Sequence, residues 1–232
     1  MLPSAEEVSG GPAMPGIAAG SSADAAQAGL VLLPCGDSAV LAELPDLTAV
    51  LALYRGLSVH RPSGVVDVVP AARTVLVNFD PALIAGAVVR RWLQETTPIA
   101  GAEAGTDEVR VDVNYDGPDL VSVAQSLGVS PEEVVALHTS SPWTAAFTGF
   151  APGFAYLVTD HDRLQVPRRG TPRTVVPAGA VGLAGEFSGI YPASSPGGWQ
   201  LIGHTDAVLW NAHDDGAAAL IRPGTRVRFR EV

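Results

Sequence analysis

Arginines crowd one short stretch of this chain, and their guanidinium groups are suited to binding an anion. Four of them lie within eleven residues: Arg163, Arg168, Arg169 and Arg173. Arg168 and Arg173 each follow a proline, which limits backbone freedom and lowers the entropy lost on binding. In a chain with a formal net charge of -10, this pattern predicts an anion-binding site at Arg168 and Arg173. The alternative is a solvated loop whose arginines pair with nearby carboxylates.

Two other side chains are candidates for proton transfer. His138 closes a predicted helix, and histidine exchanges protons near neutral pH; the alternative is a histidine that caps the helix or packs in the core. Glu186 follows Gly185 at a glycine-rich strand end, where a carboxylate could act as a base or orient a ligand. The five histidines of the chain lack the spacing of metal ligands, so we predict no metal site.

Two segments combine glycine, proline and aromatic residues, at 149–156 and 195–199. Proline fixes φ, glycine permits close approach, and aromatic side chains beside such bends form the walls of cores and pockets. We therefore predict a concave surface built from both segments. Its candidate contacts are Phe150, Pro152, Gly153, Phe154, Tyr156, Gly197, Gly198 and Trp199, with His204 shortly after them.

Hydrophobic periodicity divides the chain into the parts that must position these residues. Residues 1–28, rich in Ala, Gly, Ser and Pro, are expected to form a disordered extension. Residues 29–100 have the pattern of a small α+β domain, close to a split βαβ plan. Its strands are predicted at 30–33, 38–44, 65–69 and 74–79, and its helices at 46–55 and 80–93. The second helix is expected to begin at Asp80-Pro81, an N-cap followed by proline.

Residues 106–232, after a polar linker at 96–106, are predicted to form a second domain. Helices are expected at 119–127 and from the Ser130 cap to about His138. Beyond them, short apolar pieces alternate with Gly and Pro turns, a pattern typical of a closed or nearly closed β-barrel. The predicted strands are 109–113, 145–147, 154–158, 174–176, 180–184, 200–202, 208–210 and 227–229, of which the first fits either domain.

Composition narrows the possible functions. The net charge of -10 argues against nucleic-acid binding, which needs a basic face. All 14 basic residues are arginine, so the chain supplies no Schiff-base lysine, no lysine-containing Walker A loop and no Ser-Ser-Lys amidase triad. No apolar run approaches the ~20 residues of a membrane span, and residues 1–28 lack the positive start of a signal peptide. With a single cysteine, Cys35, the chain is expected to be cytoplasmic.

The candidate residues occur in an order that resembles one protein family. The order is Tyr115-Asp116-Gly117-Pro118-Asp119-Leu120, His138, Gly149-Phe150-x-Pro152-Gly153-Phe154-x-Tyr156, Pro167-Arg168, Pro172-Arg173, Pro177-x-Gly179 and Pro196-Gly197-Gly198-Trp199. It is similar to the family called allophanate hydrolase subunit 1, or the 5-oxoprolinase B subunit, which includes a sporulation histidine-kinase inhibitor. The chain also resembles subdomains C and D of the carboxyltransferase domain of urea carboxylase. The resemblance covers about residues 30–232.

This resemblance implies a cyclophilin-like barrel after the α+β domain, and a partner subunit with a homologous barrel. It also implies ATP-dependent opening of 5-oxoproline to glutamate, with ATP bound with or by the partner subunits. Arg168 and Arg173 would then bind phosphate or substrate carboxylate, and His138 or Glu186 would transfer protons. His204 stands where the family often has an arginine, and Trp143 where tyrosine is frequent, which puts the identity of the substrate in question.

Two other functions stay open on sequence alone. The first is a regulatory protein that inhibits a sensor histidine kinase, with the rigid segments as its binding surface and the arginines facing an acidic partner. The second is a prolyl isomerase, an idea that rests only on the barrel type. The sequence also leaves open whether an active site lies within this barrel or at its contact with a partner.

Overall fold

The first sheet has four strands and carries both of its helices on one face. The structure, a computed structural model, describes residues 29–101, 107–213 and 218–232, so the extension predicted at 1–28 and residues 102–106 of the predicted linker lie outside it. The elements are β1 (Val31–Pro34), β2 (Ala39–Glu43), α1 (Leu47–Val59), β3 (Val65–Pro70), β4 (Thr74–Phe79) and α2 (Gly86–Glu95). The strand order is β1-β2-β4-β3 with antiparallel neighbours. Strands β2 and β3 are therefore parallel and separated by β4, which confirms the split βαβ plan.

The two helices begin for different local reasons. Asp46 caps α1, because its Oδ1 accepts a hydrogen bond from the amide of Ala49 at 2.8 Å. Asp80 was expected to start α2, and that prediction is wrong. Its carboxylate accepts from the amide of Ala82 at 2.9 Å and closes a turn, and the chain is extended again at Ala85 before α2 begins at Gly86. The turn places the side chain of Ile84 in the core of this sheet. A helix that began at Asp80 would orient this side chain differently.

The second part of the chain forms a seven-stranded sheet and two helices. The elements are β5 (Glu108–Val113), α3 (Leu120–Leu127), α4 (Pro131–Ser140), β6 (Trp143–Thr148), β7 (Ala155–Val158), β8 (Arg173–Val176), β9 (Ala180–Ala184), β10 (Phe187–Ile190), β11 (Ser195–Gly197), β12 (Gln200–His204) and β13 (Arg226–Glu231). The order is β12-β9-β10-β7-β6-β13-β5, and β8 pairs separately with β11. β5 thus belongs to the second sheet, in parallel with β13.

A single bridge joins the two edges of this sheet into a barrel. Asn114, just after β5, and His204, at the end of β12, exchange two backbone hydrogen bonds of 2.9 Å. The next residues run close beside β12, and the amide of Gly117 donates to the carbonyl of Ile202 at 3.2 Å. A Cβ added to Gly117 would overlap backbone atoms of Ile202 and Gly203. The seam of the barrel therefore needs glycine at this position, and the predicted α+β class with a barrel is confirmed.

Some of the strand predictions differ from the structure. Residues 208–210 form no strand; Trp210 makes one isolated bridge to Ala219. β10 and β11 were not predicted, because Gly189 and the Ser195-Pro196-Gly197 stretch have the composition of turns. A Cβ at Gly189 in β10 would lie only 3.0 Å from the rings of Phe154 and Trp199, so a larger residue there would force these rings to shift.

The hydrophobic cores of the two parts are separate. One lies between the four-stranded sheet and its helices, and the other fills the barrel beneath α3 and α4. Among the residues that the structure describes, no helix has the length and apolar character to cross a membrane. The domain boundaries at residues 29–100 and 106–232 stay predictions.

Candidate functional site

Seven aromatic side chains form one continuous group at one side of the barrel, here called the aromatic cluster. Its members are Phe147, Phe150, Phe154, Tyr156, Phe187, Tyr191 and Trp199. Phe154 lies at its centre, with ring centroids 5.1 Å from Tyr156, 5.4 Å from Tyr191 and 5.3 Å from Trp199, all edge to face. Such pairs stabilise a fixed arrangement beyond the area they bury. The two glycine-, proline- and aromatic-rich segments thus meet, as the predicted concave surface requires.

Phe150 is the exposed member of this cluster and is held in an unusual backbone conformation. Its φ is 69°, the only positive φ of a residue other than glycine in the described part of the chain, and its side chain is 59% exposed. A non-glycine residue held there costs about 1–3 kcal/mol, and such strain concentrates at functional positions. Phe150, Pro152 and Gly153 also line a hollow of about 380 Å³ whose far wall is Trp210 and Ala219.

The cost of this conformation can be measured by comparing two variants. We expect Phe150→Asn to be more stable than Phe150→Ala by about 1 kcal/mol, because asparagine tolerates the left-handed region and alanine does not. Both variants lose the ring contacts to Phe154 and Tyr191, so the difference isolates the backbone. In a domain of this size it corresponds to a Tm about 2–4 °C higher for the asparagine variant. Equal unfolding temperatures would show that position 150 is not strained.

Asp119 organises the loop that carries the arginines. Its Oδ1 accepts hydrogen bonds from Arg169 Nη1 at 2.7 Å and from Arg173 Nη2 at 2.8 Å, and its Oδ2 accepts from the amide of Leu201 at 2.7 Å. Burial opposes ionisation of Asp119, but the hydrogen bonds from Arg173 and Leu201 and the charges of both arginines outweigh it and lower the pKa. Asp119 is therefore a buried carboxylate that stays ionised and ties three segments together.

Arg168, between the two anchored stretches, is left with an open guanidinium. It is exposed, and no hydrogen bond or ion pair from its side chain is seen within residues 29–101, 107–213 and 218–232. Burial raises the pKa of Tyr156 and of Tyr191, and the positive charge of Arg168 opposes that rise at both phenols. The amide of the next residue, Arg169, donates to the carbonyl of Gly198, which directly precedes Trp199 of the aromatic cluster. This backbone contact places Arg168 beside that cluster. Of the two arginines predicted to bind an anion, Arg173 is paired with Asp119, whereas Arg168 has no ion-pair partner among the residues that the structure describes.

His138 lies in the barrel interior rather than at a surface. It is 0% exposed; its Nδ1 is 2.6 Å from the hydroxyl of Tyr115 and its Nε2 is 2.8 Å from the hydroxyl of Ser188. Burial lowers its pKa to about 3, so the ring is neutral at physiological pH, and burial also raises the pKa of Tyr115. The structure therefore favours the packed alternative for this histidine, and a role in proton transfer stays a prediction.

Glu186 and His204 occupy two other places on the surface. Glu186 lines a second hollow of about 380 Å³, together with Asp160, His161 and Asp162. His204 Nδ1 lies 2.8 Å from Asp116 Oδ1 at the barrel seam, with its side chain 46% exposed. In the described residues, no hydrogen bond or ion pair joins Glu186 or His204 to Arg168 or Arg173. The structure therefore does not bring Glu186, predicted to transfer protons, or His204, predicted to bind the ligand, into one constellation with the arginines. In the described parts of the chain, no group of three or more His, Cys, Asp or Glu side chains could hold a metal ion.

The segment at 195–199 and the adjacent Gln200 hold residues 167–173, here called the arginine loop, through hydrogen bonds. The carbonyl of Gly198 accepts the amide of Arg169 at 2.8 Å, and the side chain of Gln200 donates to the carbonyl of Pro167 at 3.1 Å. A Cβ on Gly197 would collide with the Tyr191 ring. Sequence reasoning singled out Gly197 and Gly198 but missed Asp119, Arg169 and Tyr191 as parts of the same arrangement. The only signal for Asp119 was its place in the Tyr115–Leu120 motif.

Comparison with known proteins gives a consistent result. The family described as carboxyltransferase domain, subdomain C and D, matches residues 30–220. A protein from Escherichia coli O157:H7, named as the B subunit of 5-oxoprolinase, is 41% identical over 172 residues, which is 71% of this chain and 77% of that protein. A protein of the same name from Haemophilus influenzae is 34% identical over 207 residues, 85% of this chain and 96% of that one. The crystal structure of TTHA0988 superposes with a TM-score of 0.69 at 36% identity; it matches 84% of this chain, which covers only 39% of the longer solved chain.

Proposed function

The chain belongs to the family of the carboxyltransferase domain, subdomains C and D, and from that premise we propose that it is one subunit of an ATP-dependent complex that opens 5-oxoproline to glutamate. The names of its relatives support this reaction. The observation in the structure that carries the proposal is the unpaired Arg168 beside the aromatic cluster. A small ring with a carboxylate, such as 5-oxoproline, needs one cation and apolar walls, and this surface offers both.

The chemistry explains why ATP would be needed. A lactam carbonyl is a poor electrophile, because attack on it must break amide resonance. Transfer of the γ-phosphoryl group to the lactam oxygen releases ADP and makes the ring carbon electrophilic. Water then adds to that carbon, the ring nitrogen leaves with a proton, and a second water hydrolyses the resulting acyl phosphate to glutamate and phosphate. The transferred phosphoryl group and the phosphate that leaves the acyl phosphate carry negative charge that cations must stabilise.

Within this scheme the chain binds and orients the substrate. Arg168 binds the carboxylate, while Phe150 and the half-buried ring of Tyr156 contact the ring atoms. We do not assign proton transfer to His138, because both of its ring nitrogens are hydrogen-bonded inside the barrel. The chain contains no lysine, and we propose that ATP is bound with or by partner subunits, among them a subunit with a homologous barrel. A 5-oxoproline site that is open on one side fits a complex in which this chain binds the substrate and the partner subunits take part in binding ATP.

The test is to assemble the complex and measure turnover. Co-expression with the candidate partner subunits should give ATP hydrolysis that depends on 5-oxoproline and produces glutamate. 2-Pyrrolidone, the same lactam without the carboxylate, is the matched control and should be a much poorer substrate. Turnover that ignores 5-oxoproline, or that does not distinguish it from 2-pyrrolidone, would contradict the proposal.

Loss of the Arg168 side chain should weaken substrate binding in that complex. A hydrogen bond to a charged group is worth about 1.5–3 kcal/mol, so Arg168→Ala is expected to raise KM for 5-oxoproline by roughly 10- to 100-fold. Arg228→Ala is the control: this arginine is exposed on β13 and pairs with Glu108, and its loss should leave KM unchanged. An equal KM in wild type and Arg168→Ala would remove this residue from the site.

A regulatory role toward a sensor histidine kinase is the second candidate function. The observation that favours it is the exposed Phe150 beside the hollow lined by Trp210, since exposed aromatic side chains are common at the centres of protein interfaces. Co-purification separates the two functions: a kinase bound by the chain in the absence of other subunits supports regulation, and a second barrel subunit supports the enzyme.

A further inference from the structure

Asp119 occupies a helix cap position without serving the helix. It precedes α3, but its side chain makes no capping hydrogen bond to that helix, although aspartate at this position usually does. Both carboxylate oxygens are instead committed to Arg169, Arg173 and the amide of Leu201. The side chain is only 4% exposed. A buried charge of this kind is costly unless its partners are fixed, so its placement has a purpose other than starting α3.

Two of the partners of Asp119, Arg169 and Arg173, follow Arg168 along the chain. Arg169 follows it directly and is held twice, by its guanidinium on Asp119 and by its amide on the carbonyl of Gly198. Arg173 fixes the far end of the same loop where β8 begins. On the other side, the carbonyl of Pro167 accepts from Gln200. The backbone of Arg168 is therefore clamped before and after, while its own side chain is unpaired in the described part of the chain.

We infer that Asp119 is the positioning residue of the anion site, and that it divides the arginines into two anchors, Arg169 and Arg173, and one ligand contact, Arg168. Ordering the loop in advance removes an entropy cost that the ligand would otherwise bear, which raises affinity without a new contact. The inference rests on the proposed function for the identity of the anion, the carboxylate of 5-oxoproline. The division of roles itself rests on the hydrogen bonds of Asp119.

A double-mutant cycle in the assembled complex tests this coupling. Asp119→Asn keeps the volume and removes the charge, and we expect it to raise KM for 5-oxoproline about ten-fold with kcat nearly unchanged. If Asp119 acts through Arg168, the double variant Asp119→Asn/Arg168→Ala should have the same KM as Arg168→Ala alone. Multiplied effects of the two substitutions, or a fall confined to kcat, would overturn the inference. Asp119→Glu should recover part of the loss, because it restores the charge.

The control is a second aspartate–arginine pair on the same barrel. Asp112 accepts two hydrogen bonds from Arg230, at 2.7 and 2.6 Å, but on the exposed outside of β5. Asp112→Asn removes the same kind of charge from the same kind of pair, and should not change KM. An equal rise of KM in Asp112→Asn and Asp119→Asn would mean that the effect reports general stability.

Hydrogen exchange on the isolated full-length chain gives a readout that needs no activity. In Asp119→Asn, and in Arg169→Gln if the first variant folds poorly, the hydrogen-bonded amides of the loop, above all that of Arg169 on the carbonyl of Gly198, should exchange at least about ten-fold faster than in wild type. The same amides should be unaffected in Asp112→Asn. Unchanged exchange would overturn the positioning role even if the complex is active. Faster exchange in the isolated variant, together with an assembled wild-type complex that does not turn over 5-oxoproline, would retain the role of Asp119 and reject the proposed substrate.

Discussion

Alanine in place of Gly117 should leave the barrel unable to close, and we expect little folded protein from this variant. The added methyl group would overlap backbone atoms of Ile202 and Gly203, which cannot turn away as a side chain could. The seam would have to open, and two backbone hydrogen bonds would be lost. One joins the amide of Gly117 to the carbonyl of Ile202, and the other joins the amide of Asp119 to the carbonyl of Leu201. We expect destabilisation of more than about 4 kcal/mol, the range reached only when a specific structural feature is destroyed. Circular dichroism and thermal unfolding would measure it.

Gly170→Ala is the matched control for this substitution. Gly170 lies in the arginine loop, is exposed, and has no atom within 4 Å of where its Cβ would be. Its replacement should change the free energy of unfolding by no more than about 1 kcal/mol. The change should be slightly stabilising, because alanine lowers the conformational entropy of the unfolded chain. If Gly117→Ala unfolds at the same temperature as Gly170→Ala, the two edges of the barrel do not approach closely at Gly117.

Mild acid should destabilise the protein through His138. The unfolded chain protonates this ring with a pKa near 6.5, whereas burial lowers the folded pKa to about 3. Above pH 6.5 both states are neutral at this ring, and it has no effect. As the pH falls from 6.5 towards 3, only the unfolded state gains the proton, so the stability falls by about 1.4 kcal/mol per pH unit. Between pH 7 and pH 5 the expected loss is about 2 kcal/mol, before most carboxylates begin to titrate.

Urea unfolding at several pH values checks this expectation. His138→Gln removes the titrating group, so its stability should depend less on pH over the same window even if the variant is less stable at neutral pH. Should that variant fail to fold, an NMR titration of wild type answers the question: the His138 ring signals should stay at their neutral positions down to about pH 4. A ring that titrates near its ordinary pKa in the folded protein would contradict the buried hydrogen-bonded arrangement.

Local signals in the sequence predicted the elements whose ends are decided locally. Ser130 caps α4 through its hydroxyl, which accepts from the amide of Glu133 at 3.2 Å, and β4 has the bounds that its alternation predicted. Asp80 shows where this reasoning stops. The same Asp-Pro pair fits a helix start or a tight turn, and the choice is made by the burial of Ile84, which is a property of the folded sheet.

In the candidate site, too, the local features could be predicted from the sequence and the contacts between distant residues could not. The prolines before Arg168 and Arg173 predict a loop of limited backbone freedom, because that restriction is local. Which arginine is paired depends on Asp119, which lies 50 residues from Arg169 and 54 from Arg173 in sequence, and no spacing rule connects them. His138 was predicted at a helix end, where it is found; that the end faces the barrel interior follows from the packing of α4 on β13.

The pairing of β5 with β13 has a consequence for how this protein assembles. Arg230 and Asp112, cross-strand neighbours in that pair, are 118 residues apart. In the four-stranded sheet, the most widely separated strand partners, Ala39 and Asn78, are 39 residues apart. Contacts between distant segments form slowly, because a long loop must close before any contact rewards it. The four-stranded sheet and its two helices are therefore expected to fold before the barrel. Until β13 has paired with β5 and β6, these two strands have open edges that can pair with other chains. Slow synthesis at low temperature is therefore the favourable condition for obtaining this protein in soluble form.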